Sequence, residues 1–273
     1  MLSPETKKML ENALKQDIGK GDITSKITPE KKCTALIKAG ENCTLAGIEE
    51  AVYLLKKNKV NAISRKKDGS RIRKSETILR LEGSNKKILS LERVCLNIIG
   101  RMSGIATLCT KAKEKMKNTK TTLAVTRKTV PGFQLLDKKA AETTGIWGHR
   151  KNLTEMVLLK ENHLIFFENI SKAVAKAKRT GKKVEVETEK MDEALEATRA
   201  KPDTIMLDNF SPKLAKKTIQ KIRENGFNGK IELSGGITTK NLHNYKSLGA
   251  DYVSMGELTK NARMIDFSLE ISK

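Results

Sequence analysis

Residues 121–163 read TTLAVTRKTVPGFQLLDKKAAETTGIWGHRKNLTEMVLLKENH. A short β-type run, Thr121 to Val125, ends in Thr126-Arg127-Lys128-Thr129. A cationic pair, His149-Arg150, follows, and a second apolar run, Met156 to Leu159, delivers Lys160 at its end. Three clusters of fixed or switchable positive charge thus stand where strands are predicted to stop. A parallel α/β sheet or barrel collects such strand ends at one face, and ligands bind there. Arginine offers a planar fork for carboxylate or phosphate and lysine a point charge, so the pattern reads as a pocket for a small polyanion. Taken singly, each cluster is equally an ordinary surface charge; the repetition at strand ends is what points to a site.

Downstream of this stretch, strands and helices alternate. Strands are predicted at Val184–Glu187, Ile205–Leu207, Ile231–Leu233 and Tyr252–Met255, and helices at Ile170–Thr180, Met191–Arg199, Pro212–Asn225 and Thr239–Leu248. Ser211-Pro212 is a helix-start signal, and Gly181, Gly226 and Gly249 are stops. This β-then-α rhythm predicts a (β/α) barrel or doubly wound sheet over 116–264. Residues 266–271 alternate like an edge strand, so 265–273 is expected to return to an earlier sheet.

Upstream, residues 1–115 read as a separate α+β domain. Met1 to roughly Ile18 reads as an amphipathic helix opened by Ser3-Pro4. Short β runs follow at Cys33–Lys38, Cys43–Ala46, Val60–Ser64, Thr77–Leu81 and Lys87–Leu89, with a helix at Glu49–Lys57 between them. From Leu91 to Met116 the period changes to a helical one. Arg93, Asn97 and Arg101 make a polar stripe that faces solvent or a site, and Gly100 and Gly104 permit a close backbone approach or a break near Ser103.

The 273 residues carry a net charge of +22. Such charge attracts polyanions, yet the lysines are dispersed and not interleaved with aromatics, so nucleic acid is not expected as a partner. Four cysteines without CxxC spacing read as reduced residues of an intracellular protein. No apolar run reaches the length of a membrane span, and the N-terminus shows no signal core, so a soluble, cytoplasmic protein is expected.

The later strand ends add acidic and glycine-rich elements. In Val184-Glu185-Val186-Glu187, alternation is expected to place one glutamate inside, with Glu187 at the active face. Glu187 and Asp208 are oxygen ligands suited to Mg²⁺ held together with a substrate's phosphates. Ser234-Gly235-Gly236 and Ser254-Met255-Gly256 are turns whose backbone N–H groups can cradle phosphate.

These residues resemble the quinolinate phosphoribosyltransferase family over nearly the whole chain. The likeness is carried by 17–24 (DIGKGDIT), 91–107 (LERVCLNIIGRMSGIAT), 126–132 (TRKTVPG), His149-Arg150, 159–163 (LKENH), 184–187 (VEVE), 207–210 (LDNF), 234–237 (SGGI) and 254–256. It implies an N-terminal open β-sandwich domain, an incomplete C-terminal α/β barrel, and active sites shared in a homodimer or a hexamer of dimers. The implied reaction joins quinolinate and phosphoribosyl pyrophosphate, with Mg²⁺, to give nicotinate mononucleotide, CO₂ and pyrophosphate. By resemblance, Arg127, Arg150 and Lys160 hold quinolinate with Thr126 and His149 beside them, and Arg93 reaches the partner's site. Lys128, Glu187, Asp208, Ser234, Gly235, Gly236, Met255 and Gly256 hold phosphoribosyl pyrophosphate, and Glu187 and Asp208 its Mg²⁺.

The chain departs from the family at Thr144–Gly148, where one of three usual glycines remains and the only tryptophan, Trp147, stands, and at Lys260, where a histidine is usual. A paralogue for another aromatic acid and a polyanion binder on the same fold are the alternatives. Relatives of the molybdenum locus generally lack the lysine matched by Lys160.

Overall fold

The computed structural model describes residues 2–272, which divide into two compact units. One holds the described residues up to Thr110, Thr129–Gly145, and those from Asn261 onward; the other holds Lys111–Lys128 and Ile146–Lys260.

In chain order the first unit begins with α1 (Pro4–Ile18), α2 (Ile23–Ile27), β1 (Lys32–Ala39), β2 (Cys43–Thr44), α3 (Ile48–Lys57), β3 (Asn61–Ile63), β4 (Arg71–Ile72), β5 (Thr77–Ser84) and α4 (Asn85–Lys115). Ser3 caps α1 by accepting the Thr6 N–H, Pro4 fills the first position, and Leu10 and Leu14 are buried from its apolar stripe. A four-stranded antiparallel sheet has the order β12-β1-β5-β3, where β12 (Phe267–Ser272) is the terminal strand. Ala35 lies opposite Ile271 in that pairing. A second, two-stranded sheet pairs β2 with β4.

The helix α4 starts earlier than its sequence pattern predicts, and the strand expected at Lys87–Leu89 lies within it. The reason is that Ile88, fully buried, continues the face of Leu91 and Cys95 at helical spacing, and the two apolar residues of Lys87-Ile88-Leu89 are too few to show that period by themselves. The helix does not break at Ser103. Its hydroxyl accepts the Ala46 N–H at 3.0 Å, which satisfies a buried polar group.

Gly100 and Gly104 serve the close approach. A Cβ on Gly104 would stand 2.0 Å from the Arg263 carbonyl oxygen, and one on Gly100 2.7 Å from that of Ile265. The Ile265 N–H bonds the Gly100 carbonyl at 3.0 Å. Because the blocking atoms are backbone, Gly104→Ala should cost about 3 kcal/mol or more through overpacking. Urea unfolding measures this; a loss below about 0.5 kcal/mol, the level of a neutral surface change, would contradict the packing.

Arg101, read as part of an outward polar stripe, instead grips the fully buried Asp137 with two hydrogen bonds, Nε–Oδ1 2.8 Å and Nη2–Oδ2 2.6 Å. This fork-to-carboxylate pairing ties α5 (Gln134–Glu142) to α4. Lys139 adds ion pairs to Glu49 and Glu50 at 2.6 and 2.7 Å, and Thr129–Gly145 groups with the first unit, where the sequence suggests an uninterrupted 116–264 barrel domain.

The second unit carries six parallel strands: β6 (Thr122–Ala124), β7 (Val157–Leu159), β8 (Val184–Thr188), β9 (Thr204–Asp208), β10 (Lys230–Ser234) and β11 (Tyr252–Ser254). Their order is β6-β11-β10-β9-β8-β7. Alongside them run α6 (Glu161–Leu164), α7 (Ile170–Lys178), α8 (Met191–Ala200), α9 (Pro212–Glu224) and α10 (Glu257–Lys260). The barrel is incomplete: β6 and β7 are its edges, and beside β6 Trp147 adds an isolated parallel bridge to Ala124. The helix expected at Thr239–Leu248 is a single 3₁₀ turn, Leu242–Tyr245. Asn241 accepts the Thr238 N–H and donates to the Gly236 carbonyl, so side-chain bonds displace the helical ladder there. Among the described residues, no helix is long and apolar enough to cross a membrane.

Candidate active site

The C-terminal ends of the six barrel strands surround one cavity of about 300 Å³. Each strand stops after an apolar run, and the next residues turn inward or upward with polar side chains. Thr126, Arg127 and Lys128 follow β6, Lys160 follows β7, Glu187 and Asp208 stand at the ends of β8 and β9, and Ser234 ends β10. His149 and Arg150, from the loop before β7, complete the cationic side. Nine of the residues selected from the sequence therefore line one cavity.

Its cations are held by specific local bonds. The Thr126 hydroxyl accepts the Lys128 N–H at 3.1 Å, and Thr259 donates to the Lys128 carbonyl at 2.8 Å, which fixes the turn after β6. Arg150 is 9% exposed and donates to the Met156 carbonyl at 3.3 Å. Burial, followed by the nearby Arg127 charge, lowers its pKa. Two guanidinium groups that repel one another inside a partly dry pocket are stabilised by an anion between them. Lys160 caps α6; its backbone N–H bonds His163 Nδ1 at 3.1 Å, which accounts for the histidine of the Lys-Glu-Asn-His stretch as a structural cap.

Glu187, on the same lining, is bound to the Lys160 ammonium. Its carboxyl is pushed up by burial, an effect that Lys160 offsets in part and that neighbouring Asp208 reinforces. The Asp208 carboxylate accepts from Asn209 Nδ2 at 2.6 Å. Asn209 is left-handed, φ 58°, and its N–H bonds the Ser234 carbonyl at 3.0 Å. The two strand ends are thus locked side by side. Glu187 and Asp208 present hard oxygen donors to one cavity, beside a turn that can hold phosphate, and this donor set fits Mg²⁺.

The other selected residues are placed differently. Gly235 lines no part of the cavity: a Cβ there would be 2.3 Å from the Asn209 nitrogen, so this glycine serves close packing. Gly236 has φ 60° and open space where a Cβ would stand. Gly256 packs against the Lys128 stem, with its Cβ position 3.2 Å from Lys128 Cδ. Met255 is fully buried and belongs to the core, because alternation along β11 turns Ser254, not Met255, to the cavity. Arg93 lies exposed on α4 in the first unit, with Glu92 at 4.0 Å, and is not among the cavity's lining residues. Lys260 is exposed at the end of α10.

Five side chains of this region were not selected from the sequence, which offered Ser254 only for the backbone of its turn. Leu158 and Met206 give the cavity apolar walls, and Ser254 and Glu232 lie on its lining. Glu185 is the fifth. It was expected to face away from the interior when Glu187 faced in, but residues two apart share a face of a strand. Both glutamates point into the barrel, Glu185 at 0% exposure. The available signal was an acidic residue flanked by apolar ones in two strands, Val184-Glu185-Val186 and Ile231-Glu232-Leu233.

Below the cavity, His149 Nε2 lies 3.3 Å from Glu185 Oε2 and 3.6 Å from Glu232 Oε2. Burial lowers the basicity of this imidazole, but the two glutamates outweigh it and raise the pKa to about 9. The Arg150 N–H, pointed at Nδ1 from 2.8 Å, works against a second ring proton. The neutral Nε2–H form and the imidazolium both keep a hydrogen on Nε2. Trp147 lies tilted against this ring, with centroids 4.6 Å apart, and against Tyr252 at 4.7 Å, so it supports His149 from one side.

Comparison with known proteins agrees with this arrangement. Two family profiles match in tandem: "Quinolinate phosphoribosyl transferase, C-terminal domain" over residues 105–270 and the N-terminal domain of the same family over 22–103. The chain is 35% identical over 255 residues to an Archaeoglobus fulgidus protein named "Probable nicotinate-nucleotide pyrophosphorylase (carboxylating)", covering 92% of this chain and 98% of that one. It is 36% identical to the nicotinate-nucleotide pyrophosphorylase (carboxylating) of Rattus norvegicus, covering 75% and 70%. The solved structure of the Francisella tularensis nicotinate-nucleotide pyrophosphorylase superposes with a TM-score of 0.93 at 33% identity, covering 99% of this chain and 98% of that one. With a sandwich-type sheet ahead of an incomplete barrel, and cations and carboxylates facing one another at its strand ends, the chain belongs to the quinolinate phosphoribosyl transferase family.

Proposed function

We propose that this chain transfers the phosphoribosyl group of phosphoribosyl pyrophosphate to quinolinate and releases CO₂ and pyrophosphate, forming nicotinate mononucleotide for NAD synthesis. The observation that carries the reading is the convergence of Arg127, Arg150 and Lys160 with the carboxylates of Glu187 and Asp208 on the lining of one cavity. Arg127, Arg150 and Lys160 bind the two carboxylates, with Thr126 and His149 beside them. Leu158 and Met206 flank the pyridine ring. Lys128 and Ser234 bind the phosphates, with the Gly236 and Gly256 turns beside them. Glu187 and Asp208 would hold Mg²⁺, which supplies positive charge to the departing pyrophosphate.

No side-chain nucleophile is required. The residues hold the pyridine nitrogen in line with C1 of the ribosyl group, so positioning lowers the barrier to displacement. Once the nitrogen is alkylated, the ring cation accepts the electron pair left when the adjacent carboxylate departs as CO₂, and C2 then takes a proton. A cavity with few waters favours this step, because hydration stabilises the carboxylate that must be lost. Four free cysteines support a reducing, cytoplasmic setting. The test is turnover by the purified protein with Mg²⁺, phosphoribosyl pyrophosphate and a panel of pyridine acids. Nicotinate mononucleotide with stoichiometric CO₂ from quinolinate is expected, and absence of product from quinolinate would overturn the reading.

The active site is proposed to be shared in a homodimer, with Arg93 completing the partner's site. Its exposure supports this: among the described residues its ion pair is a long one, to the adjacent Glu92 at 4.0 Å. Arg93→Ala and Lys160→Ala homodimers should each be inactive. In a mixed dimer, one site lacks both residues and the other is intact, so subunit exchange should restore up to about half of wild-type activity per mixed dimer by two-fold symmetry. Mixed dimers that stay inactive would show that Arg93 does not act in the partner's site.

A further inference from the structure

His149 is built in a left-handed conformation, φ 51°, that side-chain-bearing residues adopt at a cost and that surroundings must hold in place. The following residue is Arg150, one of the two guanidinium groups of the clamp. What faces the His149 ring from inside the barrel is a pair of glutamates, both 0% exposed, carried by β8 and β10. The Ser254 hydroxyl donates to Glu232 Oε1 at 2.5 Å. Glu185 Oε1 and Oε2, Glu232 Oε2 and His149 Nε2 have no well-formed hydrogen bond among the described residues. Buried carboxyl oxygens without donors are costly, and a hydrogen on Nε2 lies within reach of an oxygen of each glutamate.

A cation among these three side chains fits less well than that hydrogen. A metal on Nε2 would place the ring hydrogen on Nδ1, directly against the Arg150 N–H at 2.8 Å. Direct chemistry by Glu185 is also disfavoured, because it does not line the cavity.

We propose that Glu185 and Glu232 are positioning residues of the carboxylate clamp: from the barrel interior they hold the His149 Nε2–H, and so fix the left-handed turn that aims Arg150. Trp147 limits the ring from the other side, and Nδ1 accepts the Arg150 N–H, so the ring links the glutamates to the Arg150 backbone. The proposal rests on the phosphoribosyl-transfer reading for its kinetic consequence but not for its structural one.

The test uses the full-length protein and replaces each glutamate by Leu, which removes the acceptor, and by Gln, which keeps one. The Leu variants should raise KM for quinolinate about 10-fold or more, as expected of a displaced binding group, and leave KM for phosphoribosyl pyrophosphate within about twofold. Glu185→Gln and Glu232→Gln should recover most of the loss. Equal KM changes for both substrates, or no change in the Leu variants, would overturn the assignment. Histidine ¹⁵N NMR is independent of turnover and needs only wild type if the Leu variants fail to fold; the chain has three histidines to assign. His149 should show a protonated Nε2 whose hydrogen exchanges slowly. A proton-free Nε2 at neutral pH would overturn the proposal even in a fully active enzyme. A slowly exchanging Nε2–H in a protein that does not use quinolinate would support the anchor while refuting the substrate.

Discussion

Arg127→Lys should raise KM for quinolinate about 10- to 100-fold, the loss expected when a charge-assisted bidentate hydrogen bond becomes a single point contact. KM for phosphoribosyl pyrophosphate should move far less. The physical basis is the pairing of Arg127 with Arg150 at one cavity: like charges brought together in a partly buried site lose stability unless an anion lies between them. Lysine keeps the charge, so non-specific attraction of anions by the +22 chain is unchanged. Only the planar fork is lost. Initial-rate kinetics with each substrate varied in turn decide the matter, and equal effects on both would remove Arg127 from the quinolinate subsite.

Excess chelator should abolish turnover, and Asp208→Asn should weaken binding of phosphoribosyl pyrophosphate in the presence of Mg²⁺ about 10-fold or more, as expected when one partner of a charge-assisted contact is neutralised. Asparagine matches aspartate in shape, so the locked turn of Asp208, Asn209 and Ser234 should survive. Binding measured with and without Mg²⁺ separates a metal effect from a folding effect. If the variant and wild type bind equally well in the presence of the metal, Asp208 is not a ligand. Full activity in chelator would exclude the two-carboxylate reading altogether.

The strand ends of the barrel were legible because each parallel strand is a short apolar run with a polar residue immediately after it. That local signal located Thr126–Lys128, Lys160, Glu187, Asp208 and Ser234, and all of them meet at one cavity. The same reasoning failed where two patterns share one signature. Lys87–Leu89 is too short to carry a period, and Ile88 shows its helical face only once Leu91 and Cys95 are seen to bury beside it. At Thr239–Leu248 a plausible helical pattern lost to side-chain bonds of Asn241. Gly235 and Gly236 looked alike as phosphate-cradle residues; one packs against Asn209 and the other faces open space.

By itself the sequence determined the succession of barrel strands along the chain with the helices of residues 170–180, 191–199 and 212–225, the positions of the cationic and acidic strand ends, and membership in a family through motifs spread over nearly the whole chain. These are local properties, written in runs of a few residues. Only the tertiary structure decided which polar groups are buried against which. Arg101 and Asp137 are 36 residues apart, yet they form a bidentate pair that draws Thr129–Gly145 into the first unit. Glu185 and Glu232 come from different strands and converge on His149, from a third segment. Such pairings depend on strand order and on the stagger of a twisted sheet, which no local pattern encodes, and on the desolvation that makes a buried charge seek the one partner within reach.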